Sequence, residues 1–189
     1  MESKSNWCII TGGPSSGKKT LLKHLGIMGF PVIWEVARGM IDRAKRQGIT
    51  TEELRKDEIE FQESLLPPKL KLEQKFPRDL LAFWARAMPD SITYLINCGG
   101  DPQKARILCE PNLYWKVFLL APLSTFTSDY ARIEDVRTAL ELNRLLRIAY
   151  EEVDYKVIRV PEMSPIPKLS IARRLAFILA HVYGDTKRR

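Results

Sequence analysis

Between Thr11 and Thr20 the chain reads Thr-Gly-Gly-Pro-Ser-Ser-Gly-Lys-Lys-Thr, which contains the complete spacing Gly12-x-x-x-x-Gly17-Lys18. That is the Walker A spacing of a loop built to hold phosphate. Glycine at 12 and 17 frees the backbone to curl, so that successive N–H groups and a helix N-terminus can surround anionic oxygens. Lys18 would reach the terminal phosphates as a point charge. Gly13, Pro14, Ser15, Ser16, Lys19 and Thr20 complete the candidate nucleotide-binding set. The flanks give the context such a loop requires: the apolar run Trp7-Cys8-Ile9-Ile10 before it and the amphipathic Leu21-Leu22-Lys23-His24-Leu25 after it. One position departs. The motif places Ser or Thr after the lysine to hold magnesium, and this chain has Lys19. Thr20 points about 100° around the helix and is poorly placed to replace that ligand.

Three further places could carry chemistry. Glu35-Val36-Ala37-Arg38 sets a carboxylate near a guanidinium at a strand end. There Glu35 could orient or deprotonate an acceptor hydroxyl while Arg38 neutralises developing charge, a reading favoured over the alternative of a strand-end ion pair. Ala85-Arg86-Ala87-Met88-Pro89-Asp90 follows the third strand, where an Asp would normally hold the metal and Ala85 stands instead. Arg86 could contact phosphate or acceptor, and Asp90 reads as a helix cap. The segment 123–134 is polar and without period, so it reads as a lid loop, with Arg132 the candidate to close over a triphosphate. Arg137, Arg144 and Arg147 read as a solvated helix face, and His24 and His181 lie within helices away from the cleft.

These residues need elements to position them. Five apolar runs of strand length stand out: Trp7–Ile10, Phe30–Arg38, Asp79–Trp84, Tyr114–Pro122 and Tyr155–Pro161. Helical patterns alternate with them. One runs from Gly39 to Gly48. Another starts at Thr50-Thr51-Glu52-Glu53 and is interrupted or kinked by Pro67-Pro68, and one runs through Ser91–Ile96. A short one opens at Asp101-Pro102, a long one runs from Glu134 to Glu152, and the last passes through Ile171 to Val182. Alternation of this kind predicts an α/β domain: five parallel strands with helices on both faces and right-handed crossovers. With the Gly12–Lys18 motif leaving the first strand, a three-layer P-loop NTPase fold is expected. Ligands then bind at the carboxyl ends of the strands.

At 189 residues one domain over 1–189 is expected. Met1–Asn6 is polar and has no signal-peptide core, and no apolar run approaches the ~18 residues of a membrane span. Cys8, Cys98 and Cys109 have no metal-ligand spacing and read as reduced thiols, so a cytoplasmic protein is expected. Thirty Lys and Arg against 23 Asp and Glu give a net charge of +7. Apart from the basic tail 185–189 these charges are scattered, and no nucleic-acid module appears, so nucleic-acid binding is not expected.

Thr11–Lys18 and Phe30–Arg38, with Phe83-Trp-Ala-Arg-Ala-Met-Pro-Asp-Ser91, Tyr114–Leu123, Asp129-x-x-Arg132-x-Glu134-Asp135 and Tyr155–Pro161, resemble the small AAA-type P-loop kinase-like domains. Those are related to the ribosylnicotinamide kinase domain and more distantly to thymidylate and deoxynucleoside kinases. The resemblance spans nearly the whole chain. It implies ATP or GTP binding with magnesium, a lid arginine at Arg132, and an acceptor that is a small molecule of unknown identity. At Phe83–Ser91 the family reads Asp-Arg-x-x-Pro-Asp, so Ala85 removes one metal ligand and Lys19 the other. Two readings follow: a phosphotransferase or ATPase scaffold with weak turnover, or a nucleotide-binding module that regulates a partner protein.

Overall fold

A computed structural model describes residues 4–123 and 136–186. Its centre is β1 (Trp7–Thr11), whose five residues are all buried. Alternation along it serves two faces at once. Cys8 and Ile10 point into one apolar layer with α1 (Lys18–Ile27) and α9 (Pro167–Thr186), through Leu21, Leu22, Leu25, Leu175, Ile178 and Val182. Trp7 and Ile9 point into the other, with Trp84, Val117, Tyr150 and Tyr155. A strand buried on both faces reads as a continuous apolar run, which is the reason Trp7–Ile10 is legible as one.

The sheet is parallel throughout, in the order β2-β3-β1-β4-β5, with β2 at Val32–Ile33, β3 at Ala82–Ala85, β4 at Lys116–Leu120 and β5 at Val157–Val160. Cys8 lies beside Phe83 of β3 and Lys116 of β4. The loop leaving β1 therefore emerges between the carboxyl ends of two neighbours. Each of Leu21, Leu22 and Leu25 is at most 1% exposed. At roughly 1.5–3 kcal/mol per fully buried leucine, packing and not capping holds α1 in place. That leaves its N-terminus available.

β2, β4 and β5 fall inside their expected runs and are shorter, whereas β1 and β3 each run one residue past the expected end, to Thr11 and Ala85. The largest difference is at β2, which ends at Ile33. Glu35 takes the N-cap position of α2 (Val36–Arg46), so Val36, Ala37 and Arg38 are helical and not strand. β2 is an edge strand paired only with β3, and short edges are the usual solution there. The expected continuous helix before the prolines is two pieces, α3 (Thr51–Leu54) and α4 (Glu58–Ser64), and the prolines belong to a third helix, α5 (Leu66–Lys75). Asp57 makes the break by accepting a hydrogen bond from Glu60 N at 2.9 Å, as an N-cap does. Pro67 and Pro68 sit in the first turn of α5, where a missing N–H costs nothing, and so do not kink a helix. On the same side lie α6 (Met88–Cys98), α7 (Gln103–Arg106) and α8 (Val136–Glu151), joined through Leu66, Met88, Ile92, Leu95, Ala105 and Ala149. No helix among the described residues is long and apolar enough to cross a membrane. The lid with Arg132, and the last residues of the basic tail, lie outside the described residues.

Candidate functional site

The turn from β1 into α1 needs unusual backbone. Gly12 has φ 149°, Ser15 φ 55° and Gly17 φ 79°. A Cβ on Gly12 would lie 2.8 Å from the Leu120 carbonyl oxygen and 2.9 Å from Ser16 Oγ, so only glycine fits. Gly17 is the N-cap of α1 and offers no side-chain acceptor, which leaves the first N–H groups of the helix open to an anion. Ser16 donates from Oγ to Gly13 O at 2.8 Å and pins the curl. Lys18 folds over it, with Nζ donating to Gly12 O at 2.6 Å, Gly13 O at 2.7 Å and Ser16 Oγ at 3.1 Å. Its ammonium lies on the mouth of the loop. Pro14 and Ser15 are half-buried, whereas Lys19 and Thr20 are exposed.

Beneath this loop runs a buried polar chain. Thr11 Oγ1 donates to Asp90 Oδ1 at 2.5 Å, and the Tyr150 hydroxyl and the Ala87 N–H donate to Asp90 Oδ2. Asp90, 0% exposed, thus ties β1 to α8 and to the start of α6. The expected cap is real, although α6 begins at Met88 and Asp90 caps from its third residue.

Glu35 and Arg86 meet. Arg86 Nε lies 3.1 Å from Glu35 Oε1 as an ion pair, though not aligned as a hydrogen bond, and its guanidinium stacks 4.4 Å from the Tyr94 ring centre. Arg86 adopts φ 66°, a left-handed angle uncommon for a residue with a side chain. Burial works to raise the Glu35 carboxyl; Arg86, Lys18, Lys69 and Arg38 outweigh it and hold the group below its ordinary range. Arg38 itself is not joined to Glu35. Carried onto α2, it pairs with Asp42 at 3.1 Å and is exposed. Arg144 and Arg147 pair with Glu141 and Glu151 on the α8 surface, as a solvated face should.

Three functional candidates escaped the sequence reading. Arg174, 1% exposed on α9, donates from Nη1 to Ser16 O at 2.7 Å, from Nη2 to Ala121 O at 2.8 Å and from Nε to Pro161 O at 2.8 Å. It holds the phosphate loop to the ends of β4 and β5. Lys69, 8% exposed, donates to Ser91 Oγ at 2.6 Å and Ala87 O at 3.3 Å; burial pushes its ammonium below the usual lysine range. Glu73, one turn on and 4% exposed, accepts from Tyr114 Oη at 2.7 Å and Met88 N at 3.2 Å, and burial pushes its carboxyl up. The available signal was charge on an apolar stripe: Arg174 lies between Ile171 and Ile178, Lys69 between Leu66 and Leu70, and Glu73 between Leu72 and Phe76.

The residues present do not fit a magnesium ion held by protein ligands. The two usual positions carry an exposed ammonium (Lys19) and a methyl group (Ala85). Asp90 is already engaged by three donors, and Glu35 by Arg86. No group of three or more His, Cys, Asp or Glu suited to an ion is gathered among the described residues.

A five-stranded parallel sheet in this order, with this loop leaving its central strand, defines a P-loop NTPase scaffold of nucleoside-kinase-like build. The family model described as an AAA domain matches residues 7–165, and the chain belongs to that family. Among solved structures it is similar to a NadR protein in complex with NR, at TM-score 0.61 and 17% identity over 83% of this chain and 46% of that one. It thus spans about half of that longer chain. It is also similar to deoxyadenosine kinase from M. mycoides (TM-score 0.54, 16% identity, 94% of this chain and 99% of that chain) and to shikimate kinase from Aquifex aeolicus (0.50, 14%, 94% and 99%). At such identities these likenesses establish the fold. No curated protein matches.

Proposed function

We propose that this chain is an ATP- or GTP-binding P-loop protein whose phosphate cradle is intact and whose magnesium ligation is compromised. The observation that carries the reading is the loop: a curl requiring glycine at 12 and 17, a helix start left uncapped, and the Lys18 ammonium over its mouth. Lys18 and the loop amides would hold the phosphates. Glu35, a carboxylate kept ionised by its cations, is suited to orienting an acceptor hydroxyl or a water more than to removing its proton. Arg86 would offset charge on the transferring group, with Arg132 from the lid; Arg38, occupied by Asp42, has the weaker claim of the three.

Without metal to neutralise the β- and γ-oxygens, phosphoryl transfer or hydrolysis in this chain is expected to be weak. The NadR and deoxyadenosine kinase likenesses favour a small-molecule acceptor. A second reading draws on the same pair of lost ligand positions: a module that binds nucleotide without turnover and is read by a protein partner. A thermal-shift series with ATP and GTP on the wild type and on Lys18→Ala tests the shared premise. Saturable stabilisation of the wild type alone is expected; equal response of both proteins would contradict it.

A further inference from the structure

At the end of β3 lies a small cavity walled by Ile33 of β2, by Lys69, Leu72 and Glu73 of α5, and by Trp84 and Ala87. Its free volume is about 10 Å³. Pockets for organic ligands usually begin at ~300 Å³, whereas a single water needs roughly 10–15 Å³. Size alone therefore limits the occupant to one water or one small ion.

The polar groups on the wall are unevenly matched. The Trp84 indole N–H has no acceptor among the described residues, although the residue is only 2% exposed. Its ring is packed 4.5 Å from Trp7 and 5.3 Å edge-on from Phe76, so the N–H is not free to turn elsewhere. The neighbouring Trp7 shows how this core treats an indole that can reach a carbonyl: its Nε1 donates to Pro77 O at 2.9 Å. Lys69 Nζ donates to Ser91 Oγ and Ala87 O, one hydrogen bond fewer than an ammonium can make. Glu73 takes both of its donors, Tyr114 Oη and Met88 N, on Oε1, which leaves Oε2 as an acceptor. Two donor protons and one acceptor oxygen thus belong to one cavity. A buried donor without an acceptor is unfavourable, and buried waters typically make about three hydrogen bonds to groups of this kind.

Charge and valence separate the possible occupants. A metal cation would face an N–H and an ammonium. A halide would suit those two donors and lie against the Glu73 carboxyl oxygen. A water meets all three, accepting twice and donating once.

We propose that this cavity is the site of one resident water, which accepts from the Trp84 indole N–H and the Lys69 ammonium and donates to Glu73 Oε2. The same lysine and glutamate hold the turn that follows Arg86, at Ala87 O and Met88 N. The water thereby joins β3 to α5 next to the residue that faces Glu35. It needs no nucleotide, so it stands or falls separately from the function proposed above.

The test uses the full chain without ligand. A high-resolution crystal structure should show a density peak within hydrogen-bond distance of both Trp84 Nε1 and Glu73 Oε2, and crystals soaked in bromide should give no anomalous peak there. In solution, the isotope-labelled chain should show a water contact at the Trp84 indole proton with the nuclear Overhauser sign of a resident molecule. The Trp34 indole, 51% exposed, should not. Trp84→Phe keeps a ring, assigns the indole signal by removing it, and should lose the crystallographic peak. The wild-type measurements need no variant, so they stand even where the substitution disturbs folding. Absence of the peak, bromide in its place, a Trp84 water contact no longer-lived than that of Trp34, or a peak unchanged in Trp84→Phe overturns the proposal.

Discussion

Arg174 Nη1 donates to the Ser16 carbonyl at 2.7 Å across a sequence separation of 158 residues, from the last helix to the phosphate loop. The same guanidinium reaches Ala121 O and Pro161 O, so one buried side chain fixes three loop ends at the carboxyl edge of the sheet. Replacing it with methionine keeps much of the volume and leaves three carbonyls without their donor. At roughly 1–3 kcal/mol for each unmet buried group, Arg174→Met should lose about 3 kcal/mol or more of stability by urea denaturation. ATP affinity should fall with it, because Ser16 O is part of the loop. Arg174→Lys should lie between the two. An unchanged midpoint would refute the tie.

Glu73 and Glu35 should respond to pH with opposite signs. Burial raises the Glu73 carboxyl above its ordinary 4.5, while the Tyr114 hydroxyl, Lys69 and the Met88 N–H only partly oppose this. Its folded pKa exceeds the unfolded one, so its contribution to stability is full below about 4.5 and is lost as pH rises through the folded value. Glu73→Gln keeps an acceptor for Met88 and Tyr114 and cannot ionise. Its stability relative to wild type should improve as pH rises from about 4 to about 7.

For Glu35 the folded pKa is lowered against the desolvation that would raise it, with Arg86 the first of the cations responsible. Its contribution is present above 4.5 and lost as pH falls through the folded value. Glu35→Gln should therefore flatten the acid limb of the stability profile.

How far the sequence carries depends on the physics at each residue. Trp7–Ile10 is legible because a strand buried on both faces must be apolar throughout, and Gly12 and Gly17 are legible because the loop admits nothing larger at 12 and needs φ 79° at 17. The end of β2 is not, since Glu35 makes its cap through backbone angles that no side-chain bond announces. Arg86, chosen for its place after the third strand, does reach Glu35; Arg38, chosen for its place in the chain, does not. Arg174, Lys69 and Glu73 need the fold, because a charge among leucines names neither its carbonyl nor its tyrosine in advance.

Gly12→Ala tests the steric basis of the loop. A methyl group would meet Leu120 O at 2.8 Å and force φ 149° on alanine. A strained backbone position of this kind costs about 1–3 kcal/mol. The expected outcome is a loss of that order in chemical denaturation together with loss of ATP binding. Full retention of both would show that the curl tolerates a side chain.

Lys19→Thr combined with Ala85→Asp restores a hydroxyl and a carboxylate at the usual metal positions. The double variant should bind ATP about tenfold more tightly with magnesium than with EDTA. It should also show magnesium-dependent hydrolysis or transfer above wild type in a phosphate-release assay. A double variant that folds and remains indifferent to magnesium would mean that these two residues are not what limits the site.

The phosphate cradle and its independence from metal are tested most directly by calorimetric titration of the wild type with ATP and with GTP, each in magnesium and in excess EDTA. Saturable binding of at least one triphosphate is expected, with affinities in the two buffers within about threefold of each other. No binding of either nucleotide, or binding seen with magnesium alone, would contradict it.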